Sequence, residues 1–160
     1  MISMFPNIEN FAVWGPNNIS SELAKMDDLP LRMLSISLAA MQTPPVFENL
    51  THLEILCANV KKSDCKALPK LTHLCFETSL TVEDNIILDL LKLCASLRVL
   101  IDLSVRTPIT LDDPRFLVLA DSIPIFELVE EWGRSANGLI GCWELADIIV
   151  QARKANFFKG

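Results

Sequence analysis

The sequence predicts an α/β fold in which short parallel strands alternate with helices, and three observations carry that expectation. A run with bulky apolar residues at its first, fourth and sixth positions recurs along the chain, the stretches between runs turn helical, and proline stands just ahead of several runs. The runs are Ile8-x-x-Phe11-x-Val13, Leu31-x-x-Leu34-x-Ile36, Leu50-x-x-Leu53-x-Ile55 and Leu71-x-x-Leu74-x-Phe76, with Leu97-x-x-Leu100 opening a fifth.

Positions four and six lie two apart, so on a strand they share one side. Position one closes the turn that leads in. One such unit cannot bury its apolar side alone, whereas stacked copies form a continuous core. Two copies agree nearly residue for residue, LTHLEI at 50–55 and LTHLCF at 71–76. The runs start at 8, 31, 50, 71 and 97, steps within or near the roughly 20–29 residues of leucine-rich repeats. The expected architecture is therefore a leucine-rich-repeat-like solenoid. Pro6, Pro30 and Pro69 precede three strands, where a missing N–H is tolerable. Asp102 takes the sixth position of the fifth run, which predicts a register shift there.

Between strands, Ser20 to Ala24 reads as a cap with a short helical turn. Thr81 to Asp84 has the form of a capping box ahead of Ile86, Ile87, Leu90, Leu91 and Cys94, whose spacing predicts a helix over 81–94. Strand, helix, strand in one direction implies right-handed crossovers and a parallel sheet. After Pro108 the repeat fades. Residues 112–119 read as a last strand and 125–132 as a short helix broken by Gly133, Asn137, Gly138 and Gly141. A second helix over 142–155 places Trp143, Ala146, Ile149 or Val150 and Arg153 at helical spacing. It is expected to cover the open end of the coil. The division is 1–111 for about five repeats and 112–160 for the last strand and helical C-terminal cap, within one domain.

The chain has 160 residues, 51% apolar and 21% charged, which excludes a disordered chain. Its net charge of −6 repels phosphates, so neither nucleic acid nor an anionic membrane is expected as a partner. The basic clusters are small: Lys61, Lys62 and Lys66, and Arg153, Lys154 and Lys159. No stretch reaches the roughly 18 apolar residues of a membrane span, and the N-terminus lacks a signal-peptide pattern. Cys57, Cys65, Cys75, Cys94 and Cys142 form no CxxC and read as reduced, mostly buried thiols, which places the chain in the cytoplasm or nucleus. An uncapped first strand would expose an edge and favour self-association.

LPKLTHLCF (68–76), CASLRVLI (94–101), DDPRF (112–116), EEWGRSANG (130–138) and CWELADIIVQARKA (142–155) together resemble the C-terminal half of fungal F-box-associated, leucine-rich-repeat-like proteins. The resemblance covers most of the chain. Glu131 stands where the family pattern has Asp, Cys142 where it has an aromatic residue, and no F-box precedes the repeats. A partner-binding role, as the target-recognition part of an F-box-type adaptor lacking its F-box, is what the resemblance implies.

Positions three and five of each run point opposite to four and six. Position three reads Asn10, Met33, His52, His73 and Val99; position five reads Ala12, Ser35, Glu54, Cys75 and Ile101. Met33, Ser35, His52, Glu54, His73 and Cys75 are thus the expected protein-contact face, with Trp14 beside Gly15-Pro16 as a partly exposed aromatic. The paired histidines with Glu54 and Cys75 offer zinc-type ligands, yet a flat ladder points side chains in parallel and the repeat alone explains their alignment. Ser35, His52 and Glu54 could be cast as nucleophile, base and orienter, but no oxyanion hole, G-x-S-x-G elbow or phosphate loop accompanies them. The expectation is a non-catalytic protein-protein interaction module without cofactor or metal. The alternatives are a metal-binding protein or hydrolase on the His52/His73 face, and a truncated gene product without retained function. Trp132 and Trp143 are expected to pack over the last repeat, and Glu127, Glu130 and Glu131 to form a solvated helix face.

Overall fold

The computed structural model describes residues 7–13, 26, 29–37, 47–56, 68–77, 84–103, 111–119 and 125–155, without the side chains of 37, 77, 84–86 and 125–129. Six strands, β1 (Asn10–Val13), β2 (Met33–Ser37), β3 (His52–Leu56), β4 (His73–Glu77), β5 (Val99–Asp102) and β6 (Phe116–Val118), form one sheet in chain order. Every pairing is parallel. Three helices are described: α1 (Asp84–Leu93), α2 (Ile125–Ala136) and α3 (Cys142–Lys154). The fold is α/β with an all-parallel sheet.

The backbone repeats with the sequence. The carbonyl at position two of each run accepts the amides of positions two and three in the next. Glu9 O takes Arg32 and Met33, Arg32 O takes Thr51 and His52, Thr51 O takes Thr72 and His73, and Thr72 O takes Arg98 and Val99. A tight turn leads into each of β3, β4 and β5, closed by Leu50 N to Phe47 O, Leu71 N to Leu68 O and Leu97 N to Cys94 O. Polar turn residues stack in the same rhythm, with Lys70 Nζ donating to Asn49 Oδ1 and Ser96 Oγ to Pro69 O. Each unit thus hands its unspent acceptors to the next, which leaves few buried groups unpaired.

One side of the sheet carries positions one, four and six. Leu31, Leu34, Ile36, Leu50, Leu53, Ile55, Leu71, Leu74, Phe76, Leu97 and Leu100 form a continuous core there with Ile87, Leu90 and Leu91 of α1. The register continues without a shift into β5, where Asp102 pairs with Phe76. The expected slip does not occur, because Asp102 O accepts the amide of Leu119 and the ladder runs on.

The DDPRF stretch has a structural role. Asp113 Oδ1 accepts the backbone amide and Nε of Arg115, and Oδ2 accepts an Nη proton at 2.7 Å. Held in this fork, Arg115 donates onward to Leu97 O and Leu91 O, tying the last turn of α1 to the start of β6. The guanidinium holds the Asp113 carboxyl below its ordinary range.

Gly133 does not break α2, which runs to Ala136. The stop comes at Asn137-Gly138. Gly138 takes the left-handed conformation, φ 71°, while Gly138 N bonds Ser135 O and Leu139 N bonds Arg134 O. That pair of bonds is a Schellman motif, which satisfies the last carbonyls of the helix. Gly141 then opens α3. A Cβ there would meet the Glu131 carbonyl at 2.8 Å, so only glycine permits α2 and α3 to approach this closely. The Glu144 carboxylate accepts from Gly141 N and Ser135 Oγ, both at 2.9 Å, and so locks the hairpin.

Candidate functional site

The structure aligns the position-three and position-five residues as their spacing requires. Met33 pairs with His52 and His52 with His73; Ser35 pairs with Glu54 and Glu54 with Cys75. The sequence-predicted face is thus assembled, but it is not open. The α2–α3 hairpin lies across it. Asn10 Nδ2 donates to Ala136 O at one edge of the sheet, and Arg153 donates to Phe116 O at the other. Between these ties, Cys142, Trp143, Ala146 and Val150 pack with Met33, Cys75, Val99, Ile101 and Leu117 in a second core.

This corrects two expectations. The C-terminal helix does not close the end of the sheet beyond β6; it covers a face. Accordingly Ser35, Glu54, His73 and Cys75 are buried, Met33 nearly so, and His52 is half-buried. The physical reason is that in an all-parallel sheet neither face is polar enough to stay wet, so both are covered. Positions three and five turn apolar at Cys75, Val99 and Ile101, and the inner face of α3 supplies the matching surface.

The centre of the covered face is a pair of stacked imidazoles. His52 and His73 lie 4.1 Å apart with planes 7° from parallel, and Trp143 meets both edge-on at 5.5 and 5.8 Å. Each ring has its Nδ1 within 2.9 Å of the hydroxyl of the preceding threonine, Thr51 or Thr72. His73 Nε2 lies 3.2 Å from Asp147 Oδ2, and Arg98 approaches the other oxygen of that carboxylate. Burial is the largest influence on both rings and lowers both pKa values, that of His52 to about 4. Asp147 pulls His73 the other way without overcoming burial. With both rings neutral, His73 donates from Nε2 to Asp147 and accepts from Thr72.

The remaining polar residues pair locally. The Ser35 hydroxyl donates to the Glu54 carboxylate on the adjacent strand. Cys142 sits above them with its thiol pushed up to about 12, mainly by burial and then by Glu54, Glu131 and Glu144. A thiol so held is a poor nucleophile. Ser35 is directed to Glu54, and His52 Nδ1 to Thr51, so a nucleophile–base contact is not what these bonds build. Parallel rings likewise do not converge on a common point. Among the described residues no group of three or more His, Cys, Asp or Glu is placed to hold a metal ion.

Trp143 is buried, but over β3 and β4 rather than the last strand; Trp132 is half-buried. Glu130 is exposed and Glu131 half-buried, with Arg134 beside it at 3.7 Å. Trp14, Cys57, Cys65, Lys61, Lys62, Lys66, Lys159, Pro6, the Ser20–Ala24 turn and the Glu127 side chain lie outside the described residues.

What sequence reasoning missed is the outer side of the hairpin. Leu139, Ile140, Leu145 and Ile148 are 58%, 65%, 48% and 58% exposed. Leu145 and Ile148 are three apart on the side of α3 away from Trp143 and Val150, so this helix is apolar on both faces. The signal was present in the sequence: Leu145 and Ile148 fall outside the 143/146/150 stripe, and apolar residues beyond one stripe call for a second neighbour. No helix among the described residues is long and apolar enough to cross a membrane. Comparison of the chain with protein-family models, with curated proteins and with solved structures finds no match.

Proposed function

We propose that the chain is a non-catalytic protein-interaction module that engages its partner through the outer surface of the α2–α3 hairpin. The carrying observation is the cluster of exposed Leu139, Ile140, Leu145 and Ile148, beside a strand face that the hairpin already occupies. Among the described residues, four of the five exposed large apolar side chains fall on this hairpin, Leu93 being the fifth, and apolar surface grouped in this way marks contact sites. With a net charge of −6, the fitting partner is a protein segment that is basic and presents apolar side chains. The repeated carbonyl pattern and turns support reading the sheet as a leucine-rich-repeat-like solenoid. In the fungal F-box-associated family that the sequence resembles, this would be the target-recognition part of an adaptor, working in the cytoplasm or nucleus.

The test is a double substitution, Leu145→Asp with Ile148→Asp, at positions whose exposure lets the fold tolerate charge. Proteins cross-linked to the wild-type chain in extract are identified and the same capture repeated with the variant. Loss of a defined partner, with an unchanged circular dichroism spectrum and melting curve, is expected. A partner profile identical for the two chains would overturn the proposal.

A further inference from the structure

The two edges of the sheet are finished differently. Met33 N bonds Glu9 O and Asn10 stands opposite Met33, so in this parallel ladder Glu9, Phe11 and Val13 turn their backbone groups toward β2. Asn10 and Ala12 therefore turn their amides and carbonyls outward, where no group among the described residues meets them. In each later repeat the matching amide, of Met33, His52, His73 or Val99, donates to a carbonyl of the preceding unit. The Asn10 side chain is held by Ala136 O at 3.0 Å, which leaves its backbone to the outside.

At the far edge, Leu100 N bonds Arg115 O, so Phe116 turns away from β5. Its outward carbonyl is taken by Arg153 Nη1 at 2.7 Å. The core shows the same asymmetry. Ile8, Phe11 and Val13 are half-buried, whereas their counterparts Leu31, Leu34 and Ile36 are 1% exposed or less. Nor does Asn10–Val13 carry a charge or a proline, two of the devices that keep strand edges from pairing.

We infer that β1 is a docking edge for a second copy of this chain, joined antiparallel about a twofold axis that passes between the two Phe11 residues. That register sets Asn10 against Ala12 of the second copy, and Ala12 against its Asn10. Both are pairs that exchange two hydrogen bonds, so every outward amide meets a carbonyl. Phe11 then faces Phe11 in the closer, non-hydrogen-bonded pair, with about 4.5 Å between Cα atoms, and each ring gains an apolar neighbour. The two Glu9 carboxylates fall at opposite ends of the pairing, each beside its own Arg32 at 3.5 Å. Head-to-tail addition of β1 to the β6 edge of another copy would build an open filament, but there Arg153 already caps Phe116 O; the closed twofold is what remains. Leu145 and Ile148 lie on α3 and not on this edge, so the dimer leaves the proposed partner surface open.

The test is sedimentation velocity on the intact chain over a roughly hundredfold concentration range, in which mass action draws out a monomer–dimer equilibrium. Growth of dimer with concentration is expected. Ala12→Pro removes one outward amide, sets its ring at the junction and spares the bonds to β2; it is expected to weaken dimerisation about tenfold with the melting curve retained. Phe11→Cys gives an independent reading. Mild oxidation is expected to join the two introduced thiols, as located by peptide mass spectrometry, because facing Cα atoms in this pair lie within disulfide range. Val13→Cys, which faces Glu9 of the second copy, is expected to give no such link. If Ala12→Pro unfolds, the two cysteine variants decide alone. A chain monomeric throughout, a dimer that survives a folded Ala12→Pro, one lost in the Leu145→Asp with Ile148→Asp chain, or equal cross-linking at positions 11 and 13 would overturn the inference.

Discussion

Trp143→Ala removes the side chain that seats α3 on the sheet. Trp143 is 3% exposed and bears on both imidazoles. Truncating a buried aromatic costs about 3–5 kcal/mol, depending on how well the void closes. Here the lower end is expected, about 3 kcal/mol, because half-buried His52 borders an open cavity through which water can reach the void. The loss should also be local. Trp143 belongs to the core between the sheet and α3, and among the described residues the larger core on the opposite side contains none from α2 or α3. Urea unfolding followed by circular dichroism gives the total. Hydrogen exchange locates it: α3 amides are expected to exchange roughly a hundredfold faster, with β2 to β4 amides little changed. A loss below about 1 kcal/mol with unaltered α3 protection would refute the reasoning, since that is the size of an ordinary surface substitution.

Acid should destabilise the chain through the stacked histidines. An unfolded histidine titrates near 6.5, whereas burial holds His52 at about 4 and His73 below its ordinary value. The unfolded state therefore binds protons that the folded state refuses. Stability is full above about pH 6.5 and falls toward pH 4, by up to about 3 kcal/mol for His52; His52→Phe should flatten that slope in urea melts taken from pH 7 to 4. Arg115→Ala removes the guanidinium from Leu91 O and Leu97 O and leaves the Asp113 carboxylate with the backbone amide alone, and a loss of about 1–3 kcal/mol is expected in the same assay. The glycines of the hairpin should respond with opposite signs. Gly133→Ala meets nothing within 4 Å and should stabilise by about 0.5–1 kcal/mol, while Gly141→Ala drives into the Glu131 carbonyl and should cost about 1–3 kcal/mol.

Much of the sheet was legible because its period is carried by side chains that have only one place to go. Leucines at positions one and four name the buried side of each strand, and strict alternation then fixes what pairs with what, down to His52 beside His73. The end of α2 was misplaced because Gly133 and Gly138 look alike in sequence, and only the left-handed conformation at Gly138 separates a tolerated glycine from a stop. The site was half legible. The residues that meet on the second face were identified, but their surroundings depend on where a distant helix lands, and that is a long-range packing choice. Val99 and Ile101 carried the clue, being apolar at positions whose counterparts two repeats earlier are His52 and Glu54. An apolar patch emerging on a supposedly wet face requires a cover, and Trp143, Ala146 and Val150 at steps of three and four are that cover.

The most direct test of the covering hairpin is a nuclear Overhauser spectrum of the intact chain, with the Trp143 ring and the two imidazoles assigned. Cross-peaks from the indole protons to ring protons of both His52 and His73 are expected, together with contacts from Ala146 methyl protons to residues of the strand face. An indole with contacts confined to β6, or a solvent-exposed one, would contradict the placement of α3 across the strand face.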